Sequence, residues 1–277
     1  MTDETAPPGV DTSKASVARA YNYALGGKDN FAVDRAFADM VLERTPDVFD
    51  SVRMIREFGA RVAAYLAENG VHQIIDLGSG LPTTPPSIHE TARAILPDTR
   101  VVYVDNDPVV AAHSRALRSI GHGLATIEAD MMNPDVVFGA PELTETIDMS
   151  RPVGVLIMSV LQNMTDQAEV LRVLGDIRDR LAPGSYLAVA HLWDGSTPVS
   201  MAGVHESAAE KGYPEVLFRS RAQIAELFDG FELVDPDSPH SPDDPAIVQI
   251  GDWWPDPNSA DEPDVELKLL GAVGRKP

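Results

Sequence analysis

The sequence predicts an α/β protein whose core is a doubly wound, mostly parallel sheet. Three observations carry that reading. From residue 71 onward, apolar runs of strand length alternate with stretches of helical period, the order that right-handed crossovers impose on a parallel sheet. The run Val153-Gly-Val-Leu-Ile-Met-Ser-Val160 is nearly all apolar, as a central strand covered on both faces must be. The first strand runs into Gly78-Ser-Gly80, at the edge where such sheets bind ligands. Seven strands are expected, closed by an antiparallel C-terminal strand and preceded by an N-terminal helical cap.

Each element has its own justification. Residues 1–13 are acidic and Pro-bearing and read as a flexible tail. The helical cap spans 14–70. In it, Ser16, Val17, Ala20, Tyr21 and Ala24 recur at helical spacing until Gly26-Gly27 breaks the run. A second helix starts at Asp29 or Asn30, with Phe37, Met40 and Val41 on one face, and Thr45-Pro46 stops it. A third covers 47–69, where Val48, Val52, Ile55, Gly59, Val62 and Leu66 form one stripe and Asn69-Gly70 supplies the stop.

The sheet domain spans 71–277, with strands at 72–77, 100–104, 124–128, 153–160 and 186–190. Thr84 or Ser87 caps the first intervening helix, Pro85 or Pro86 suits its first turn, and Ile88, Ala92, Ile95 and Leu96 form its buried face. Asp107-Pro108 opens the second helix, and Asp166 caps the next. Ser220 caps one more helix. Residues 231–234 and 267–273 then read as strands joined without a helix, hence an antiparallel pair. Between them, 236–265 is an acidic, Pro-rich surface loop with a short strand around 247–250.

Composition narrows the function. There are 43 acidic against 22 basic residues, a formal net charge of −21. Such a surface repels nucleic acid and anionic lipid at long range, so neither is an expected partner. Cysteine is absent, which excludes disulfides, thiolate nucleophiles and Cys-based zinc sites. No apolar run reaches the ~18 residues of a membrane span. The start lacks the basic and apolar regions of a secretory signal, so a cytoplasmic location is expected. His, Asp and Glu show no metal-ligand spacing, and no metal is predicted.

The chemistry gathers at strand ends. Ile75-Asp-Leu-Gly-Ser-Gly80 presents backbone N–H groups and a bare Cα to a ligand. Asp105 ends the second strand, where a carboxylate can accept both hydroxyls of a ribose. Asp130 ends the third and can receive an adenine amino group, with Met131 as apolar cover. A dinucleotide fingerprint needs a third glycine, and Leu81-Pro-Thr83 stands in its place. Asp76 suits a cationic ligand better than a pyrophosphate. An adenosine ligand with a positively charged amino-acid tail fits all three observations, which describes S-adenosylmethionine (SAM). Ser79, Asn106 and Ser159, at the same edge, complete the cofactor-binding set.

At these residues the sequence resembles class I SAM-dependent methyltransferases of Rossmann-like fold, and more closely the bacterial family called S-adenosyl methyltransferase. The marks are Tyr21-Asn-Tyr-Ala-Leu-Gly-Gly-Lys-Asp-Asn-Phe31 with Asp34-Arg35, Asp76-Leu-Gly-Ser-Gly-Leu-Pro82 and Val102-Tyr-Val-Asp-Asn-Asp-Pro108. Leu181-Ala-Pro-Gly-Ser-Tyr-Leu187 and the ending Gly271-Ala-Val-Gly-Arg-Lys-Pro277 extend them over nearly the whole chain. The resemblance implies SAM binding and methyl transfer but names no acceptor. One departure stands out. After the fourth strand the family tends to carry Leu-His, and this chain has Leu161-Gln162-Asn163-Met164. If that histidine serves as a base in the family, this chain lacks it, which bears on acid–base chemistry at that position and not on cofactor binding.

Other candidates flank this set. Residues 21–31 read either as a plain helix joint or as a lid whose Tyr21, Asn22 and Lys28 meet the cofactor's methionine end. Arg56 is either a solvated helix charge or a partner for the same carboxylate. His191 follows the fifth strand and is the candidate general base, against a structural histidine. Trp253-Trp254 is a loop anchor or an acceptor wall. The acidic surface points to a small-molecule acceptor, methylated on O or N. Two alternatives remain: a non-catalytic SAM-binding protein, and an NAD(P)-linked oxidoreductase.

Overall fold

The computed structural model describes residues 10–82, 87–117, 121–196, 210–235, 246–254, 265 and 267–277. Three helices come first: α1 (Val17–Ala24), α2 (Ala32–Leu42) and α3 (Val48–Glu68). Then follow β1 (Gln73–Leu77), α4 (Ile88–Ile95), β2 (Arg100–Asp105), α5 (Pro108–Leu117) and β3 (Leu124–Glu128). Next are α6 (Pro134–Gly139), α7 (Pro141–Thr146), β4 (Gly154–Met158), α8 (Gln167–Arg180) and β5 (Tyr186–Leu192). The chain closes with α9 (Arg221–Glu226), β6 (Glu232–Leu233), β7 (Val248–Gln249) and β8 (Leu269–Arg275).

The strands form one sheet in the order β3-β2-β1-β4-β5-β8-β6, with β7 also on β8. β1 to β5 are parallel. β8 runs antiparallel to β5 from Tyr186 opposite Arg275 to Leu192 opposite Leu269. β6 and β7 share the outer edge of β8. The eighth strand is the short one expected around 247–250, paired into the sheet instead of standing alone in the loop. Strand order reverses between β1 and β4, and a crevice at the carboxyl ends opens at that switch point.

Side chains of each strand alternate between two cores. Ile74 and Leu156 face α3, while Ile75, Val155 and Ile157 face α8. Of the stripe expected on α3, Val52, Ile55, Val62 and Leu66 are buried and Val48 is half-buried, and Phe58, outside that stripe, has no exposed surface either. Full burial of such a side chain contributes ~1.5–3 kcal/mol relative to exposure. Predicted caps form at Ser87, Asp166 and Ser220, whereas α2 starts at Ala32 with Phe31 at its cap and not at Asp29 or Asn30. Ser87 accepts from the Glu90 N–H, Asp166 from Ala168 and Glu169, and Ser220 from Gln223.

Some expectations change. Ile95 is 42% exposed, because α4 turns only Ala92 fully inward. The short helices α6 and α7 are additions; each starts on a proline and is too brief to show a period. Trp253 is an anchor: fully buried, its ring meets Phe58 and Tyr65 edge-on, and Arg61 donates to the carbonyls of Ile250 and Trp253. The caps proposed at Thr84, Pro85 and Pro86 lie outside the described residues, as do residues 1–9 of the expected tail and most of 236–265.

Candidate functional site

The turn after β1 is built around Asp105. Gly78 and Gly80 adopt φ of +73° and +61°, which side-chain-bearing residues rarely reach. A Cβ on Gly78 would also lie 2.4 Å from Val160 Cγ2. The N–H groups of Gly78 and Ser79 donate to the Val104 carbonyl at 2.8 and 3.0 Å. The Gly80 N–H donates to Asp105 Oδ2 at 2.9 Å, and Asp107 N–H donates to Asp105 Oδ1 at 3.0 Å. The carboxylate thus fixes the loop whose glycines it faces.

Above this turn lies a cavity of about 560 Å³. Asp76, Gly78, Ser79, Gly80, Asp105, Asn106, Asp130, Met131 and Ser159 all line it. Three successive strand ends therefore bring a carboxylate to one space, as the sequence predicts. Asp130 also accepts from the Met132 N–H at 2.9 Å.

The opposite wall comes from the N-terminal segment. Val10, Asp11, Ser16, Arg19 and Tyr21 line the cavity, and Val10 packs near Leu81, Val109 and Val110. Residues 10 and 11, read as tail, are thus part of the site wall. A buried ion network holds this wall. Arg19 Nε donates to Asp34 at 2.9 Å and its Nη1 to Asp107 at 3.2 Å. Ser16 Oγ donates to the same Asp107 oxygen at 2.7 Å. Sequence reasoning missed Arg19 and Ser16. Their one signal was a basic residue beside Ala20, on the apolar face of α1.

Arg56 is not a solvated charge. Its Nη1 donates to the Ser79 carbonyl at 3.2 Å, and its guanidinium stacks over the Tyr21 ring at 5.2 Å. Tyr21 donates its hydroxyl proton to the Val52 carbonyl at 2.8 Å. Burial pushes that hydroxyl up to about 12, against the opposing charge of Arg56. It is therefore already committed, not held ready for a cofactor carboxylate.

Three candidates lie elsewhere. Asn22 is buried but lines no cavity. Its Oδ1 accepts from Asp29 N–H and Asn30 Nδ2, both at 3.0 Å, and its side chain fills the space a Cβ on Gly27 would need. It braces the helix joint. Lys28 is exposed and outside the cavity. His191 is fully buried and reaches neither cavity. Its Nδ1 donates to the Leu192 carbonyl at 2.8 Å, and its Nε2 accepts from Arg219 Nη1 at 2.5 Å. Burial pushes it down to about 4. It is a neutral structural group, because a second cation beside Arg219 in that interior is too costly.

A smaller pocket of about 150 Å³ adjoins the first. Val17, Tyr21, Ile55 and Ser159 line both. Ser159 separates them on a backbone of φ +62°, an uncommon conformation for a residue with a side chain and one that gathers at functional sites.

The main cavity also contains unmet polar atoms. Arg56 Nε and Ser79 Oγ are buried with no hydrogen-bond partner among the described residues. Such atoms cost free energy unless a ligand completes them. A donor pair beside acidic strand ends fits a ligand carrying both a carboxylate and cationic groups, and SAM carries both.

Sheet order, glycine turn and acidic strand ends together define a class I methyltransferase fold. The chain belongs to the S-adenosyl methyltransferase family, which it matches over residues 3–277. It is similar to a solved candidate methyltransferase from Thermobifida fusca YX, at 37% identity and a TM-score of 0.86, with 98% of each chain covered. It is also similar to a solved duf574 family protein from Streptomyces avermitilis MA-4680, at 34% identity and a TM-score of 0.84, covering 96% of this chain and 99% of that one. No curated protein matches it. The protein is a methyltransferase, and SAM is its cofactor. No helix among the described residues is long and apolar enough to cross a membrane.

Proposed function

We propose that the chain methylates a small cytoplasmic molecule on oxygen or nitrogen. The observation that carries this is the second pocket, reached past Ser159 and about 150 Å³ in volume. A pocket of that size admits one small group, and a net charge of −21 argues against nucleic acid as the bearer of that group.

In this reading Asp105 accepts the ribose hydroxyls, and Asp130 with Met131 holds the adenine. Asn106 and Gly78 to Gly80 shape the nucleoside's floor. Asp76 faces the cationic end, and Arg56 with Ser79 meets the carboxylate. The cofactor supplies an electrophilic methyl group: the acceptor's lone pair forms the new bond while the C–S pair stays on sulfur as a neutral thioether. The acceptor's proton passes to solvent. Neither His191 nor Tyr21 is poised to take it, so the residues act by alignment of the two reactants. This favours acceptors that are nucleophilic without a protein base.

Incubation with methyl-labelled SAM and a fractionated metabolite pool tests the proposal. Label should enter a small-molecule fraction. Label only in RNA, DNA or protein would overturn it, and SAM binding without any transfer would favour the non-catalytic reading.

A further inference from the structure

Among the described residues that line the smaller pocket, one side-chain polar atom has no hydrogen-bond partner. It is Oε1 of Gln162, a residue 8% exposed. The other end of the amide is fixed, because Nε2 donates to Ser159 Oγ at 2.5 Å. The amide is therefore tied to Ser159, which lines both cavities, and its carbonyl lone pairs are unmet among the described residues. Buried acceptors of this kind are costly to leave empty, and native interiors seldom do.

The surroundings limit what can satisfy it. Ala20, Phe37, Phe49, Val216 and Leu269 supply apolar walls from α1, α2, α3 and β8 and from the segment before α9. No charged side chain lines the pocket among the described residues. The Tyr21 hydroxyl is spent on Val52, and Ser51 Oγ donates to the Leu267 carbonyl at 3.1 Å. A charged ligand would be desolvated there without a partner. A volume near 150 Å³ suits one six-membered ring.

We propose that this pocket is the acceptor subsite and takes an uncharged, single-ring apolar group bearing one O–H or N–H, donated to Gln162 Oε1. The assignment rests on the methyl-transfer reading above and narrows its substrate class. Gln162 is then a specificity residue that selects a hydrogen-bond donor beside the transferring methyl.

Calorimetry and ligand-observed NMR on the full chain with S-adenosylhomocysteine test it, using phenol, anisole and benzoate as probes. Phenol should bind at least about tenfold more tightly than anisole, which has the ring but no donor. Benzoate should not bind. In Gln162→Leu the phenol-to-anisole ratio should fall to about one. Val41→Phe, which fills the pocket from α2, should abolish both. That second variant keeps the test open if the first does not fold. Equal binding of phenol and anisole to the wild type, preferred binding of benzoate, or binding unaffected by Val41→Phe overturns the proposal. S-adenosylhomocysteine binding with no probe bound also overturns it. Probe binding without S-adenosylhomocysteine binding would leave the pocket standing and overturn the cofactor reading instead.

Discussion

Arg19 and Asp107, 88 residues apart in the chain, meet at 3.2 Å in the interior and join the first helix to the carboxyl edge of the sheet. Asp34 shares the same guanidinium, and all three side chains are buried. Asp107 also caps α5, accepting from the Val109 N–H at 2.9 Å. One carboxylate thus fixes both α5 and the cavity wall opposite. Arg19→Leu leaves two buried carboxylates without their cation and should cost about 3–5 kcal/mol. SAM affinity should fall with it. Urea unfolding and calorimetry read both, and unchanged affinity in a folded variant would show that α1 is not part of the site.

The contacts also divide the expected lid of residues 21–31. Tyr21 lines the cavity, while Asn22 and Lys28 do not; Ser16 and Arg19, which precede the lid, line it as well. Hydrogen exchange should therefore show protection rising in residues 17–24 when SAM binds, with little change at 26–30. Protection confined to the strand ends would make α1 a passive cover.

Two cations proposed for the same carboxylate should now behave differently. Arg56 lies in the cavity with an unmet Nε, and Lys28 is exposed outside it. Arg56→Gln should weaken SAM by about 1.5–3 kcal/mol, the size of a hydrogen bond to a charged group. Lys28→Gln should stay within about 0.5 kcal/mol of wild type. A reversed ranking in calorimetry would mean that the 21–31 joint reaches the ligand.

His191 gives a pH signature of stability. Burial holds it near 4 in the folded chain, below its ordinary 6.5. Unfolding lets it bind a proton below 6.5, so the unfolded state gains as pH falls from about 6.5 to about 4. The full stability is present above 6.5, and on the order of 3 kcal/mol is lost across that window. His191→Asn should flatten this part of the profile. Equal urea midpoint shifts between pH 7 and pH 5 in variant and wild type would contradict the assignment.

The sheet was legible because β4 and the α3 stripe each follow one period, and burial on one or both faces leaves that period in the sequence. The grouping of the cavity's strand-end residues was legible for a related reason. Gly78, Asp105 and Asp130 sit at strand ends, and all three line one cavity. Ser16 and Arg19 were not legible, because their role depends on α1 docking 88 residues away from Asp107. His191 misled for a specific reason. Its strand ends at the right edge, but β5 continues to Leu192 and turns the ring inward to Arg219. Gln162 stood out as a departure from a pattern, while its unmet carbonyl needed coordinates to be seen.

The central claim is that the Gly78 to Gly80 turn and its carboxylates hold SAM and not a dinucleotide. Calorimetric titration of the chain and of Asp105→Ala with SAM and with NAD tests it most directly. The wild type should bind SAM at one site and NAD not at all. Asp105→Ala should lose at least about a hundredfold in SAM affinity, because two hydrogen bonds to a charged acceptor and the bracing of Gly80 go together. Tight NAD binding without SAM binding, or an unchanged SAM affinity in Asp105→Ala, would contradict it.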